Sequence, residues 1–311
     1  MRGTMKFNPV LFLLAMAAAL ISGACAVTAA PLSRSQIPAD SKWVMHLDMN
    51  QFASSQTCRL LSSGQGDAKR FQNMLNHYRN LLGVDPLKDI ASLTLFGNEV
   101  SGNRGVALIS GSLNSKQITS QFSTYSQYTT KKNGRLTLQT WVDKGSGKPL
   151  WASFYSSRQL ILASDEFSLV NAAWVLDGDR PNLAASKNAT LPFPATQPGS
   201  FFTAVTKGYS GSNPTQAMIL RSTESANLQL AENSGIVDGA ILLNADSPET
   251  AVQIQQILNG LMVSASFTDA GSPLAKLAEL STLSRNGNTM SLKIHCPAGE
   301  AASLVGSLLT Q

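Results

Sequence analysis

Apolar residues recur at every second position near the start of the first half, where Trp43, Met45, Leu47 and Met49 alternate with His46 and Asp48. That period predicts a strand with the apolar set on one face and His46 and Asp48 on the other. From about Asp67 to Leu82 the spacing changes to three and four. Phe71, Met74, Leu75, Tyr78, Leu81 and Leu82 then form the apolar stripe of a helix.

The pattern repeats along the chain. Ser92-Leu-Thr-Leu-Phe-Gly-Asn-Glu-Val, Gly105-Val-Ala-Leu-Ile-Ser-Gly-Ser-Leu-Asn and an amphipathic run through Ile118 and Phe122 have counterparts in kind. These are Asn227-Leu-Gln-Leu-Ala-Glu-Asn, Asp238-Gly-Ala-Ile-Leu-Leu-Asn-Ala-Asp-Ser and a run through Ile254, Leu258 and Leu261. Each copy reads strand, polar turn, strand, helix. Ser157-Arg-Gln-Leu-Ile-Leu-Ala-Ser-Asp-Glu then leads into a helix with Phe167, Val170 and Trp174. In parallel, Gly287-Asn-Thr-Met-Ser-Leu-Lys-Ile-His leads into one with Ala301, Leu304, Val305 and Leu308. Phe201-Phe-Thr-Ala-Val opens the second copy as a strand, and the shorter segment Pro214 to Thr223 stands where the first copy has its long helix.

Self-similarity at this scale predicts two tandem units. Asn133-Gly134 and Asn286-Gly287 are hairpin turns, which join antiparallel strands. The expected class is therefore α+β, each unit a mainly antiparallel sheet with helices packed on one face. The first unit spans 37–180 and the second 200–311. Between them 181–199 holds Pro181, Pro192, Pro194 and Pro198 and reads as a linker.

Residues 1–29 read as a cleavable export signal. Arg2 and Lys6 precede an apolar run from Val10 to Ile21, and small residues follow. Cleavage after Ala26 or after Ala29 satisfies the small-x-small rule. Cys25 as an acylated lipoprotein cysteine is the competing reading, weakened by Ser22 where an aliphatic residue belongs. Loss of Arg2 and Lys6 with the leader leaves 22 basic against 19 acidic residues, a net charge of +3. The densest basic group, Lys131, Lys132 and Arg135 beside Asn133-Gly134, is a solvated loop rather than the stripe nucleic acid requires. No second apolar run reaches membrane length, so the mature chain is expected to lack a transmembrane segment.

Candidate chemistry is sparse. The histidines are His46, His77 and His295, and none lies in a nucleophile elbow, a penicillin-binding Ser-x-x-Lys setting or a His-Glu-x-x-His helix. His77 reads as part of a solvated helix face. His46 and Asp48 share a strand face and offer two metal ligands or a catalytic pair, but no third ligand is brought to them, so an outer polar face is the favoured reading. Asp143-Lys-Gly-Ser-Gly-Lys-Pro lacks the glycine and the Ser or Thr of a phosphate loop and reads as a hairpin. Asp165-Glu166 fits a helix start. Trp141, Trp151 and Tyr155 on strands 136–142 and 150–155 predict a packed aromatic layer in preference to a sugar- or peptide-binding row. After cleavage the cysteines are Cys58 and Cys296. Export permits a disulfide between them, and two separate buried thiols are the alternative.

Ile37-Pro-Ala-Asp-Ser-Lys-Trp-Val-Met-His-Leu-Asp-Met resembles the opening of secreted bacterial proteins with a Pro-Ala-Asp-x-Lys-Trp-Val-x-His-x-Asp segment just after the signal peptide. The likeness continues through Asp89-Ile-Ala-Ser-Leu-Thr-Leu-Phe-Gly, Asp165-Glu-Phe-Ser-Leu-Val and Arg285-Asn-Gly-Asn-Thr. It implies export and the two-unit layout and supplies no activity, catalytic residue or cofactor. The expectation is an exported protein, periplasmic, cell-surface or extracellular, that binds a protein or envelope component without catalysis and without a cofactor. The alternative is a periplasmic hydrolase with its site between the units, built on His46 and Asp48.

Overall fold

Alternation along the chain becomes one large sheet in the computed structural model, which describes residues 30–63, 68–99, 104–186, 191–208, 222–267 and 272–308. The segment from Pro214 to Thr223 thus falls mostly outside the described residues. The first half forms β1 (Trp43–Asp48), β2 (Ile90–Gly97), β3 (Val106–Gly111), β4 (Thr129–Asn133), β5 (Leu136–Val142), β6 (Pro149–Ser156) and β7 (Gln159–Ala163). The second forms β8 (Ser200–Lys207), β9 (Thr223–Asn233), β10 (Ile236–Ala245), β11 (Ser281–Asn286) and β12 (Thr289–Pro297). All are antiparallel neighbours in the order β11-β12-β10-β9-β8-β1-β2-β3-β7-β6-β5-β4.

The two halves therefore share a continuous sheet whose seam is the β1–β8 pair, with Trp43 opposite Thr206 and Leu47 opposite Phe202. Moving outward from that seam, β1, β2, β3, β7 and β6 mirror β8, β9, β10, β12 and β11. Matching sequence segments hold matching places, so the internal repeat is a repeat of topology. Gly134 and Gly287 have φ near +57° (56° and 57°) at the two hairpin turns, a backbone that glycine adopts without a Cβ clash.

The helices are α1 (Met49–Ser54), α2 (Gln56–Leu61), α3 (Ala68–Leu82), α4 (Pro86–Asp89), α5 (Ser115–Phe122), α6 (Glu166–Asp177), α7 (Pro248–Ser266), α8 (Pro273–Glu279) and α9 (Ala298–Leu308). On the sheet face that carries Leu47, Leu93, Leu95, Ala107, Ile109 and Leu160, these strand residues join Phe52, Cys58, Phe71, Leu75, Ile118, Phe122 and Ala302 of α1, α2, α3, α5 and α9 in one core. Helix α7 packs Ala251 and Ile254 on the same face, against Leu243 and Met290. Helix α6 is the exception. Its Leu169, Val170, Ala172 and Ala173 meet Val44, Phe96, Val106, Leu108 and Ile161, the alternate positions of the same strands. The final helices of the two copies, α6 and α9, thus lie on opposite faces, and β4 and β5 extend the first half beyond β6 without a counterpart, so the repeat is not exact. Burial on both faces explains why β3 reads as an almost unbroken apolar run.

The halves are also locked through a side chain. Ser55 accepts from Cys58 N at 3.1 Å as the N-cap of α2, and both carboxylate oxygens of Glu232 in β9 accept from Gln56 N and Thr57 N of that helix. A carboxylate there answers the unpaired amides and positive end of the helix.

Candidate functional site

Near the seam, the second sheet face is polar, with His46 and Asp48 on β1, Ser92 and Thr94 on β2, and Asn227 and Gln229 on β9. The sequence reads this face as an outer surface. The structure corrects that: His46 is 5% exposed and Asp48 3%. Residues 30–39 and the described parts of the proline-rich segment, around Leu183 and Pro192, lie over it. Leu183 N donates to Ile37 O at 2.9 Å, Ala39 N to Pro181 O at 3.0 Å and Asn227 Nδ2 to Pro192 O at 3.3 Å. Leu183 and Leu191 are buried, and the Arg34 guanidinium sits 4.4 Å from the Phe193 ring centre.

Geometry assigns the His46 tautomer. Nε2 lies 2.9 Å from the Ala30 carbonyl oxygen, which only accepts, so Nε2 carries the proton. Nδ1 then accepts from the Thr94 hydroxyl at 2.9 Å. Burial pushes the imidazole pKa down to about 4, opposed by the Ala30 carbonyl, and the ring is neutral at pH 7. Asp48 is the N-cap of α1, where Oδ1 accepts from Gln51 N at 2.9 Å, while Oδ2 accepts from Ala30 N at 2.7 Å. Desolvation raises its pKa, with the amides of Gln51, Ala30 and Asn50 pulling the other way. Both side chains are thus engaged by backbone and by Thr94. Among the described residues no group of three His, Cys, Asp or Glu is placed to hold a metal ion.

The open cleft lies elsewhere. A cavity of about 290 Å³ opens between residues 38–41, the β2–β3 connection and α6, and none of His46, Asp48 and Thr94 lines it. Its polar walls are Asp40, Arg104, Ser168, Asn171 and Arg180, and Phe96, Val106 and Phe167 are apolar. Arg104 is 3.7 Å from Glu99, and the Arg180 guanidinium stands 5.1 Å over the Trp174 ring. Ser168 Oγ donates to Asp165 Oδ2 at 2.7 Å, while Asp165 Oδ1 caps α6 by accepting from Ser168 N. The sequence places Phe167 and Trp174 among the apolar positions of this helix. They are exposed instead, Phe167 by 69%. The helix is apolar nearly all round, so its periodicity does not say which apolar residues face outward.

The remaining candidates are structural. Cys58 and Cys296 are free buried thiols, not the disulfide that export permits. Both pack in the core, Cys58 on α2 and Cys296 at the end of β12, with Cys58 Sγ donating to Ala53 O at 3.4 Å and Cys296 Sγ to Pro297 O at 3.5 Å. Burial raises both thiol pKa values. Trp141 stacks on Phe122 at 4.5 Å on one face, whereas Trp151 and Tyr155 sit on the other, so the three do not form a single row. Lys131 pairs with Glu166 at 2.6 Å and Arg135 with Asp177, tying the β4–β5 hairpin to α6. His295 Nδ1 lies 2.8 Å from Asp238 Oδ1 on an exposed strand pair, and His77 is exposed on α3. Asp143 closes its own hairpin loop by accepting from Ser146 N and Oγ at 2.7 Å each. Among the described residues no helix is long and apolar enough to cross a membrane.

No family model matches the sequence, and no curated protein does. Among solved structures, crystal form III of TP0453 is similar over 89% of this chain and 99% of that one, at 10% identity and a TM-score of 0.51. Crystal form I of TP0453 gives 10% identity and a TM-score of 0.47 over 90% of this chain and 98% of that one. At such identity the likeness to crystal form III is one of fold: the two-unit α+β architecture extends over nearly the whole of both chains.

Proposed function

We propose that the chain is exported and acts in the bacterial cell envelope as a non-catalytic binding protein whose partner is a protein or an envelope component. The observation that carries this is the saturation of His46 and Asp48. The pair that offers the best general base is buried, hydrogen-bonded to Ala30, Gln51 and Thr94, and absent from the walls of the open cavity. A general base has to reach a substrate proton, and this one is shut away. The cleft beside α6 has what a binding site needs, apolar walls with a few convergent polar groups. Its rim carries the exposed Phe167 ring and the guanidinium groups of Arg104 and Arg180.

The test is site-specific photocrosslinking in intact bacteria. A photoreactive residue at Phe167 is expected to give a discrete envelope adduct that Arg104→Glu with Arg180→Glu abolishes, and Val252 on α7 serves as the exposed control position. Equal labelling at Phe167 and Val252, together with hydrolase turnover that His46→Gln removes from a folded protein, would overturn the reading in favour of the enzyme.

A further inference from the structure

We infer that the Ala29–Ala30 bond is the processing site, and that the α-amino group freed there docks on Asp48 as a structural ion pair. The inference rests on the export reading above and goes beyond it. Sequence rules leave cleavage after Ala26 and after Ala29 equally acceptable. Geometry separates them, because the nitrogen of Ala30 itself lies 2.7 Å from Asp48 Oδ2 and the carbonyl of the same residue receives the His46 Nε2 proton. Residue 30 is thereby held at both its polar groups by two side chains of one strand.

Chemically the step is hydrolysis. A membrane-bound peptidase of the small-x-small class adds water across the Ala29–Ala30 amide. Ala29 leaves with the leader as a carboxylate, and the Ala30 nitrogen takes up a proton to become an ammonium. In the uncut chain that nitrogen is a neutral amide donor facing a carboxylate that is 3% exposed. Cleavage adds a positive charge to the donor of a hydrogen bond whose acceptor is already ionised, so the same contact becomes an ion pair. His46 is the other titratable side chain against Ala30, and it contributes a neutral donor. Cleavage after Ala26 would leave the amide in place and put the new charge three residues away. Removal of the leader therefore strengthens a contact that the uncut chain already makes.

Intact-mass analysis of the exported protein is expected to show a chain starting at Ala30. A start at Val27, or an acylated Cys25, overturns the inference while leaving export standing, whereas an uncut chain retained in the cytoplasm sinks the export reading itself. A purified chain starting at Ala30 is expected to melt about 2–4 °C above one that keeps residues 27–29. That difference should vanish in Asp48→Asn, and its persistence there would overturn the ion pair. If Asp48→Asn does not fold, since it also weakens the α1 cap, the Ala30 amine is titrated by NMR in the unsubstituted chain. The expected pKa lies above the ordinary range of about 7.7–8.0, and an ordinary value counts against the inference.

Discussion

Acidification is expected to weaken the native state through His46. The ring has a pKa of about 4 when folded against 6.5 when exposed. The unfolded chain therefore takes up a proton between those values that the folded chain refuses. Stability from this source is complete above pH 6.5 and is lost as pH falls toward 4. At about 1.36 kcal/mol per tenfold change in proton affinity, the ceiling is about 3 kcal/mol, of which about 2.5 kcal/mol is gone by pH 4.5. That is a large part of the roughly 5–15 kcal/mol by which a domain is stable. Asp48 acts with the opposite sign, since its raised pKa favours the folded state in acid. The measurement is urea unfolding from pH 7.5 to 4.5 on the unsubstituted protein and on His46→Gln. The glutamine amide keeps one donor for Ala30 O and one acceptor for the Thr94 hydroxyl but does not titrate near neutrality. Asp48 is common to both proteins, so its contribution cancels in the difference. The unsubstituted protein is expected to lose about 2.5 kcal/mol more than the variant. Equal acid losses, or an NMR titration of His46 near 6.5, would refute the reasoning.

Three further outcomes follow from particular contacts. Glu232→Ala removes the carboxylate that receives Gln56 N and Thr57 N and should cost about 1 kcal/mol in urea unfolding, by leaving two first-turn amides of α2 without that acceptor and removing one contact between the halves. Gly111→Ala should cost about 3 kcal/mol, because a Cβ there would lie 1.9 Å from the Asp89 carbonyl oxygen; Gly134→Ala, with nothing within 4 Å, should cost only about 1 kcal/mol for its positive φ. Cys58 and Cys296 should react with a thiol reagent only after unfolding, and the mature chain should keep one mass with or without reductant; a shift of two hydrogens would show a disulfide instead.

Much of the fold was legible because the periods are local. Trp43, Met45 and Leu47 declare β1, and the duplicated strand-turn-strand-helix pattern declares two units, since each residue's direction along a strand or helix follows from its neighbours. The seam was not legible. Nothing in Val44 to Asp48 says that β8 pairs there, because pairing partners far apart in sequence are chosen by the whole core. The same limit hid the cleft, whose walls come from three separate stretches, within residues 38–41, 96–98 with 104–106, and 167–181. It also hid the exposure of Phe167 and Trp174, which an all-apolar helix cannot signal.

The sequence by itself determined the class, the duplicated order of elements, the leader-like start and the lack of a recognised catalytic motif, all of which rest on short-range pattern. Tertiary structure decided the meaning of His46 and Asp48. As a polar pair two residues apart on a strand they are ambiguous, because alternation fixes a face without saying what covers it. The cover comes from residues 30–39 and from the connector beyond Pro181, and only their arrival on that face makes the histidine a neutral buried donor and the aspartate the acceptor for Ala30.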